Sequence, residues 1–352
     1  MIAKKAIWLV IAFLSSSCHS QEKLSNLTPI PNIASILRGN VAVYVESKTP
    51  KEEITADRFG DVVILNLDTK ERAKITHDEF VNEFPTLSPD RKLIVFASLR
   101  EGDPELLKIV GMGGPRKLYA YEIETGRLRY YAPHLDDRYP DIMSRFHQIR
   151  WSPVLPELFF ASGNMILAVS RNEDSLWLVY RDTTIQFILD FSFSPNGKYI
   201  SVLYIQERPE GVGRNIFNVT NHSVNPLPDP DSVDIIGGNS LDRNSVLLAK
   251  RWYVTKSIFE FDCSQLTRHI LQIPGLGTQI DLEKVYYVDD STLVGLGGKL
   301  IYRKPPVDSS TFRNPVVLNK EILRVDLRSQ TVDTLTNDHL RKGYLQIYPA
   351  RR

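Results

Sequence analysis

Short apolar runs separated by polar turns recur along most of the chain. The clearest example lies at residues 83–131, where the apolar runs read EFPTL, KLIVFA, KLYAYEI and RLRYY. A Ser-Pro-Asp turn at 88–90 separates the first two runs, and a Glu-Thr-Gly turn at 124–126 separates the last two. Short runs bounded by Pro, Gly, Asp and Ser are typical of strands. The stretch therefore predicts a unit of four short antiparallel strands.

This unit recurs. Turns equivalent to 88–90 lie near residues 40, 90, 154, 196, 243 and 291. Most of the spacings are 42 to 50 residues, and the exception of 64 contains a polar insertion at 101–115 and a long connection at 133–146. A period in the forties with four strands is the signature of a propeller blade. The sequence predicts an all-β fold, a six-bladed β-propeller of four-stranded antiparallel blades, over residues 39–352.

The last apolar run predicts how the ring closes. The first unit has no opening strand, because a polar, proline-containing segment precedes residue 40. Residues 343–350, GYLQIYPA, resemble the openings of later units, such as QIRWSP at 148–153. We expect the C-terminal strand to become the inner strand of the first blade, which would remove two exposed sheet edges. A frayed C-terminal tail is the alternative.

The N-terminal residues are typical of a secretory signal. Two lysines precede nine apolar residues at 6–14, a run too short to span a bilayer. The following LSSSC resembles a bacterial lipobox, although Ser15 stands where that pattern usually has Leu. We expect a signal peptide at 1–17 and a lipidated Cys18 with a tether at 18–38. Secretion after cleavage among the serines, and a retained anchor, are the alternatives.

Composition narrows the function classes. The chain has 43 Lys and Arg against 42 Asp and Glu, a net charge of +1, so no basic excess favours nucleic acid. The chain has two cysteines. If Cys18 is lipidated, Cys263 is left alone and an intrachain disulfide is excluded.

No motif identifies a reaction. The chain has no Gly-x-Ser-x-Gly nucleophile elbow, and its glycine runs at 111–114 and 295–298 lack the Gly-Lys-Ser/Thr of a phosphate loop. Its histidines are not at metal-ligand spacing, and the acidic clusters at 136–141 and 229–234 do not have EF-hand spacing. The sequence therefore predicts no catalytic residue, no cofactor and no metal.

Two units resemble a known repeat. SPDRKLIVF at 88–96, SPNGKYI at 194–200 and the Tyr-x-x-x-Ile-x-Thr-Gly hairpin at 119–126 are similar to the TolB-type propeller repeat. The resemblance covers about residues 40–350 as an architecture, and the first, fifth and sixth units depart from the Ser-Pro turn. It implies the fold and little about function, because the repeat occurs in envelope scaffolds, peptidase-associated propellers and some polysaccharide lyases.

The long insertions predict a binding face. They lie between the second and third strands of their units, at 46–60, 100–116, 206–214 and 303–320. In a propeller these loops emerge on the same face as the blade-to-blade connections, and elaboration of one face is typical of a binding surface. The surface is polar, charged and aromatic, which suits a polymer or another protein. The predicted ligand-binding residues are Arg100, Arg138, Tyr139, Arg145, His147, Arg208 and Arg214.

Two main functional hypotheses follow. The first is a non-catalytic, lipid-anchored β-propeller of the bacterial cell envelope, on the outer membrane or periplasmic side, that binds an envelope protein or polysaccharide. The second is a carbohydrate-active lyase or hydrolase with His147, Arg138 and Arg145 near the central opening. A sensor module of a larger complex is a third option.

Overall fold

The computed structural model describes residues 30, 33–50, 60–77, 80–100, 116–143, 146–207, 210–226, 234–235, 245–252, 255–265, 267–276, 279–301, 316–317, 320–338 and 340–350. Within these ranges the strands form six antiparallel sheets arranged as the blades of a propeller. The first strands of most neighbouring blades pack against each other around the central axis. The predicted all-β, six-bladed fold is confirmed.

The first three blades each have four strands, which follow one another from the axis outwards. Blade one contains β25 (Leu340–Tyr348), β1 (Val41–Pro50), β2 (Gly60–Asn66) and β3 (Arg72–Lys74). Blade two contains β4 (Asn82–Leu87), β5 (Leu93–Ser98), β6 (Lys117–Glu122) and β7 (Leu128–Tyr130). Blade three contains β8 (Phe146–Trp151), β9 (Glu157–Ser162), β10 (Met165–Ser170) and β11 (Leu176–Arg181).

The remaining blades follow the same order. Blade four contains β12 (Phe187–Phe193), β13 (Tyr199–Glu207), β14 (Glu210–Asn218) and β15 (Val224–Pro226). Blade five contains β16 (Asp234–Ile235), β17 (Ser245–Trp252), β18 (Thr255–Asp262) and β19 (Thr267–Leu271). Blade six contains β20 (Ile280–Tyr287), β21 (Thr292–Ile301), β23 (Glu321–Asp326) and β24 (Thr331–Thr334), and β22 (Val316–Val317) pairs with the end of β21.

Helices are few among the described residues. They are α1 (Ile33–Ile36), before blade one, and α2 (Pro133–Arg138) and α3 (Pro140–Met143), both between blades two and three. No helix in the described ranges is both long and apolar enough to cross a membrane.

Alternation along the strands creates a core between each pair of blades. In β5, Ile94 and Phe96 pack into the cluster between blades one and two. Val95 and Ala97, on the other face of the same strand, pack into the cluster between blades two and three. Because both faces of each blade are covered, the middle strands read as nearly continuous apolar runs.

The ring closes as expected. β25 pairs antiparallel with β1, with Val41 opposite Tyr348 and Ala42 opposite Ile347. Arg91 strengthens this junction, because its guanidinium donates to carbonyls at both ends of the fold. Arg91 Nη1 donates to the Leu37 carbonyl and also, at 2.8 Å, to the Gly39 carbonyl. Arg91 Nη2 donates to the Pro349 carbonyl at 2.6 Å.

The structure corrects two details of the sequence interpretation. The end of the expected tether is not free of the propeller, because Ile33, Ile36 and Leu37 are buried in the cluster between blades one and two. The expected insertion at 206–214 belongs largely to β13 and β14, which pair as far as Glu207 and Glu210. Arg214 therefore lies inside a strand and not in a loop.

Bulges in the inner strands were not expected. The inner strands of blades one, two, three, four and six each shift register against the neighbouring strand. Phe84, Gln148, Lys284 and Tyr344 lie at these bulges and have φ angles of 53°, 53°, 49° and 54°. Left-handed backbone is uncommon for residues other than glycine, so the bulge is a repeated device of this fold that re-aims side chains near the axis.

Candidate functional site

The strand order defines two faces of the propeller. In blade two, Asn82 at the start of β4 pairs with Ser98 at the end of β5, and Ser98 pairs with Lys117 at the start of β6. The end of β5, the start of β6 and the start of β4 therefore lie on the same face, which we call the loop face. The Ser-Pro-Asp turn at 88–90 and the turn at 124–126 lie on the opposite face, which we call the turn face.

A charged network crosses the axis between these faces. Arg150, on the inner strand of blade three, donates through Nη2 to Asp190 Oδ1 of blade four at 3.3 Å. Lys284 Nζ of blade six donates to Asp190 Oδ2 at 2.5 Å. Arg150 Nη1 also donates to the Tyr286 hydroxyl at 3.3 Å. One buried carboxylate thus holds cations from two other blades.

Polar groups extend the network to blades one and two. Tyr286 donates to the Leu345 carbonyl at 2.8 Å, and Gln346 Nε2 donates to the Ile149 carbonyl at 3.0 Å. The Tyr348 hydroxyl donates to Gln346 Oε1 at 2.7 Å and lies 2.9 Å from Thr86 Oγ1. The inner strands of five blades are therefore joined by side-chain hydrogen bonds, an arrangement that fixes their relative positions.

The network keeps Asp190 and Arg150 ionised. Burial alone would raise the pKa of Asp190, but the charges of Lys284 and Arg150 outweigh it and hold that pKa below its ordinary value. Burial alone would lower the pKa of Arg150, but Tyr286 and Asp190 raise it instead. The Asp190–Arg150 ion pair therefore persists across the physiological pH range.

A cavity of about 170 Å³ opens at the turn-face end of the axis. Its described lining contains two arginines, three serines and several aromatic rings, but no carboxylate. Such a lining offers hydrogen-bond donors beside flat apolar surfaces, as small-molecule sites do. The lining residues nearest the network are Arg150, Trp151, Ser192, Tyr286, Gln346 and Tyr348.

The loop-face end of the axis presents aromatic rings. Phe84 and Tyr344 meet edge to face with ring centroids 4.6 Å apart, and the Tyr344 hydroxyl donates to Glu83 Oε1 at 3.1 Å. Arg116 pairs with the other oxygen of Glu83 at 2.7 Å. Tyr344 and Phe187 are each 37% exposed, among the most exposed large apolar side chains of the described residues. Amphipathic rings beside paired charges are typical of protein interfaces.

Three of the predicted binding residues lie on the loop face. Arg100 follows β5, donates to Asn82 Oδ1 at 3.3 Å and lies 5.4 Å from the centroid of the Tyr119 ring. Arg138 ends α2, and its guanidinium lies 5.2 Å from the centroid of the Tyr139 ring. Arg138 and Tyr139 are consecutive residues, and both lie in the connection between blades two and three.

The other predicted residues are placed differently. His147 is buried near the start of β8, where its ring stacks on Phe187 at 4.3 Å and Nε2 contacts the Ile188 carbonyl. Arg214 is buried within β14 and donates to Ser201 Oγ at 3.2 Å. The remaining positions lie outside the described residues, and they are Arg145, Arg208 and Cys18.

The other groups considered from the sequence have structural surroundings. Within the described ranges, no cluster of three or more His, Cys, Asp or Glu could hold a metal ion. Asp136, from one acidic cluster, pairs with Lys117 at 2.8 Å. Cys263 is buried, and burial raises the pKa of its thiol well above the ordinary value.

Sequence reasoning missed the axial network. Arg150, Tyr286 and Gln346 lie on the inner strands of three different blades and are far apart in the chain. One signal was present, because Thr86, Arg150 and Ser192 each stand two residues before a Ser-Pro turn. Aligning the units on that turn would have placed these three residues in one layer around the axis.

Solved structures of other propellers share this architecture. No protein-family model matches the chain, and no curated protein matches it. TolB from Acinetobacter baumannii superposes with a TM-score of 0.57 at 14% identity, over 88% of this chain and 67% of that chain. The chain has the fold of the TolB propeller. A protein described as a putative TolB from Agrobacterium tumefaciens gives 0.54 at 11% identity, over 85% of this chain and 88% of that chain.

The TolB likeness is one of architecture. A chain in the crystal structure of the nidogen/laminin complex matches nearly as well, with a TM-score of 0.55 at 9% identity, over 89% of this chain and 100% of that chain. Because similar propellers occur in proteins named so differently, the TolB fold does not identify a ligand.

Proposed function

We propose that the protein is a non-catalytic, lipid-anchored propeller of the bacterial cell envelope that binds an envelope protein or polysaccharide through its loop face. The anchor would be Cys18, and the partner would contact Arg100, Arg138 and Tyr139. Two features support the proposal. The fold is shared with binding proteins, and the loop face carries long connections and exposed aromatic rings.

The loop-face mouth of the axis is the observation that carries this proposal. Tyr344 and Phe187 expose aromatic surface there, and Arg138 and Tyr139 lie in the connection on the same face. Tyr and Arg are enriched where proteins bind one another, because they combine large contact area with hydrogen-bonding groups.

The surroundings of His147 support binding over acid-base catalysis. The ring is stacked on Phe187, and its Nε2 contacts a backbone carbonyl of the next blade. A general acid or base must reach the proton of a bound substrate. A buried ring whose Nε2 already joins two blades is better suited to positioning β8 against β12.

Removal of the insertion at 101–115 tests the proposal. Ser98 and Lys117 are paired across the ladder of β5 and β6, so a short Gly-Ser turn can join the strands without moving the blade. The variant and the unaltered protein would each be used to capture partners from envelope extract. We expect the deletion to remove the specific partner.

A matched variant controls for general surface effects. Glu124→Lys combined with Lys198→Glu changes two exposed residues of the turn face and preserves net charge. We expect this protein to capture the same partner as the unaltered one. If the deletion variant still captured the partner and the turn-face variant did not, the loop face would be rejected as the binding surface.

The carbohydrate-active alternative is favoured by a different observation, the turn-face cavity. Aromatic rings and donors such as Trp151, Tyr286 and Ser192 line it, and sugars bind to such surfaces. An activity assay distinguishes the enzyme from the binding protein. The protein is incubated with envelope and plant-type polysaccharides, and new reducing ends and unsaturated products are then measured. Product formation would favour the enzyme.

A further inference from the structure

The outer strand of blade three differs from the other outer strands. Each blade ends in a strand whose outer backbone groups have no neighbouring strand within the described residues, and proteins usually protect such edges with charged residues or proline. The other outer strands of this propeller follow that rule, whereas the one charged residue of β11, Arg181, stands at its last position. The protecting residues include Arg72 and Lys74 in β3, Arg129 in β7, Pro226 in β15, Arg268 in β19 and Asp333 in β24.

β11 is long and apolar. It has six residues, LWLVYR, against three to five in the outer strands of the other blades. Trp177 is 37% exposed and Leu178 is 51% exposed. An apolar edge of this kind is a template for the addition of another strand.

The charges at the two ends of β11 are opposite. Asp174 precedes the strand and is exposed, with its Oδ1 accepting hydrogen bonds from Ser170 at 2.6 Å and Ser175 at 2.8 Å. Arg181 ends the strand and is also exposed. In an antiparallel pair of two such strands, the acidic start of one faces the basic end of the other.

A bulge places Arg181 on the same face as Leu176 and Leu178. Leu176 lies opposite Val169, and Leu178 opposite Leu167, whereas Tyr180 lies opposite Ile166, so that Val179 is extra. Alternation places Leu176 and Leu178 on one face of the sheet, and Asp174 lies in the turn, two residues before Leu176. Because of the extra residue, Arg181 returns to that same face, opposite Met165.

We propose that β11 pairs antiparallel with β11 of a second copy of this chain, about a two-fold axis at Trp177. Trp177 then faces Trp177, and Leu176 faces Leu178 on each side of the axis. The bulge at Val179 brings Arg181 of one copy opposite Asp174 of the other, twice. The pairing of Leu176 with Leu178 satisfies the same-face rule, which a two-fold axis perpendicular to the sheet requires.

The expected dimer is weak. A single strand edge buries much less than the roughly 1,600 Å² of a standard interface, so its Kd should be on the order of 10–100 µM. The proposal does not depend on the binding function of the loop face, since β11 lies on the outer rim of the propeller.

Sedimentation velocity on the full chain carrying Cys18→Ser, which removes the lipidation site, tests the proposal. We expect a reversible monomer–dimer equilibrium between about 1 and about 200 µM. Trp177→Lys should abolish the dimer, because it charges the centre of the edge. Val224→Lys is the matched control, because it changes an outer-strand residue of blade four that is 42% exposed. It should leave the dimer unchanged.

A charge exchange tests the register. Asp174→Arg alone places like charges opposite Arg181 twice and should weaken the dimer at least about ten-fold. Arg181→Asp alone should weaken it similarly, and the double exchange should restore it. Circular dichroism of each variant confirms folding. Two results would overturn the proposal. One is a chain that stays monomeric throughout the concentration range, and the other is a double exchange that fails to restore a dimer lost in both single variants.

Discussion

Replacement of Asp190 by Asn should strongly destabilise the propeller. Asp190 Oδ1 and Oδ2 hold Arg150 and Lys284 at 3.3 Å and 2.5 Å, and both Asp190 and Arg150 are buried. Without the carboxylate, the Arg150 guanidinium remains buried without its counter-charge. Removing one partner of a buried ion pair costs about 3–5 kcal/mol. Lys284 adds little to this figure, because its side chain is 29% exposed and solvent screens it.

The double variant shows whether the cost comes from the uncompensated charge. Arg150→Met removes the buried cation and keeps a long apolar side chain. Apolar replacement of a buried ion pair is often close to neutral, so Asp190→Asn with Arg150→Met should be more stable than Asp190→Asn alone. Urea titration followed by tryptophan fluorescence measures both. A cost below about 1 kcal/mol for Asp190→Asn, or no recovery in the double variant, would refute the reasoning.

Three further predictions follow from other contacts. Pairing with Lys342 and Arg72 lowers the pKa of Asp338 from 3.8 to about 2, although burial opposes the shift. The stability that ionised Asp338 gives to the folded protein is fully present above about pH 4 and is lost as the pH falls towards 2. Asp338→Asn should therefore lower the free energy of unfolding by about 1–2 kcal/mol at neutral pH and make it depend less on pH between about 4 and 2. An unchanged pH dependence in that range would contradict this. Arg91→Met should cost about 2 kcal/mol, because four carbonyls at the ring closure lose their donor; faster proteolysis of the C-terminal strand would report it, and an unaltered rate would not fit. Cys18→Ser should move the protein from the membrane fraction to the soluble fraction, and continued membrane retention would reject the lipid anchor.

Local sequence signals were sufficient for the architecture. Each Ser-Pro turn and each short apolar run acts within a few residues, so a 42–50-residue period predicts blades without knowledge of their contacts. The C-terminal strand was also predictable, because Tyr348 and Pro349 stand where later units have Ser-Pro. Pairing of β25 with β1 then follows from ring closure.

The axial site was not predictable in the same way, because it depends on distant residues. Asp190 and Lys284 are 94 residues apart in the chain, and they meet because the propeller brings the inner strands of blades four and six together. The bulges at Gln148 and Lys284 require φ angles that neither residue type signals. His147 looked like an exposed titratable group in the sequence, and the structure instead buries it between blades three and four.

Site-specific photo-crosslinking in intact cells tests the central claim most directly. A photoreactive residue would replace Arg138 on the loop face or Lys198 on the turn face, both of which are exposed. The binding account predicts a discrete adduct with an envelope protein or polysaccharide from position 138 and none from position 198. A discrete adduct from position 198, with none from position 138, would contradict it.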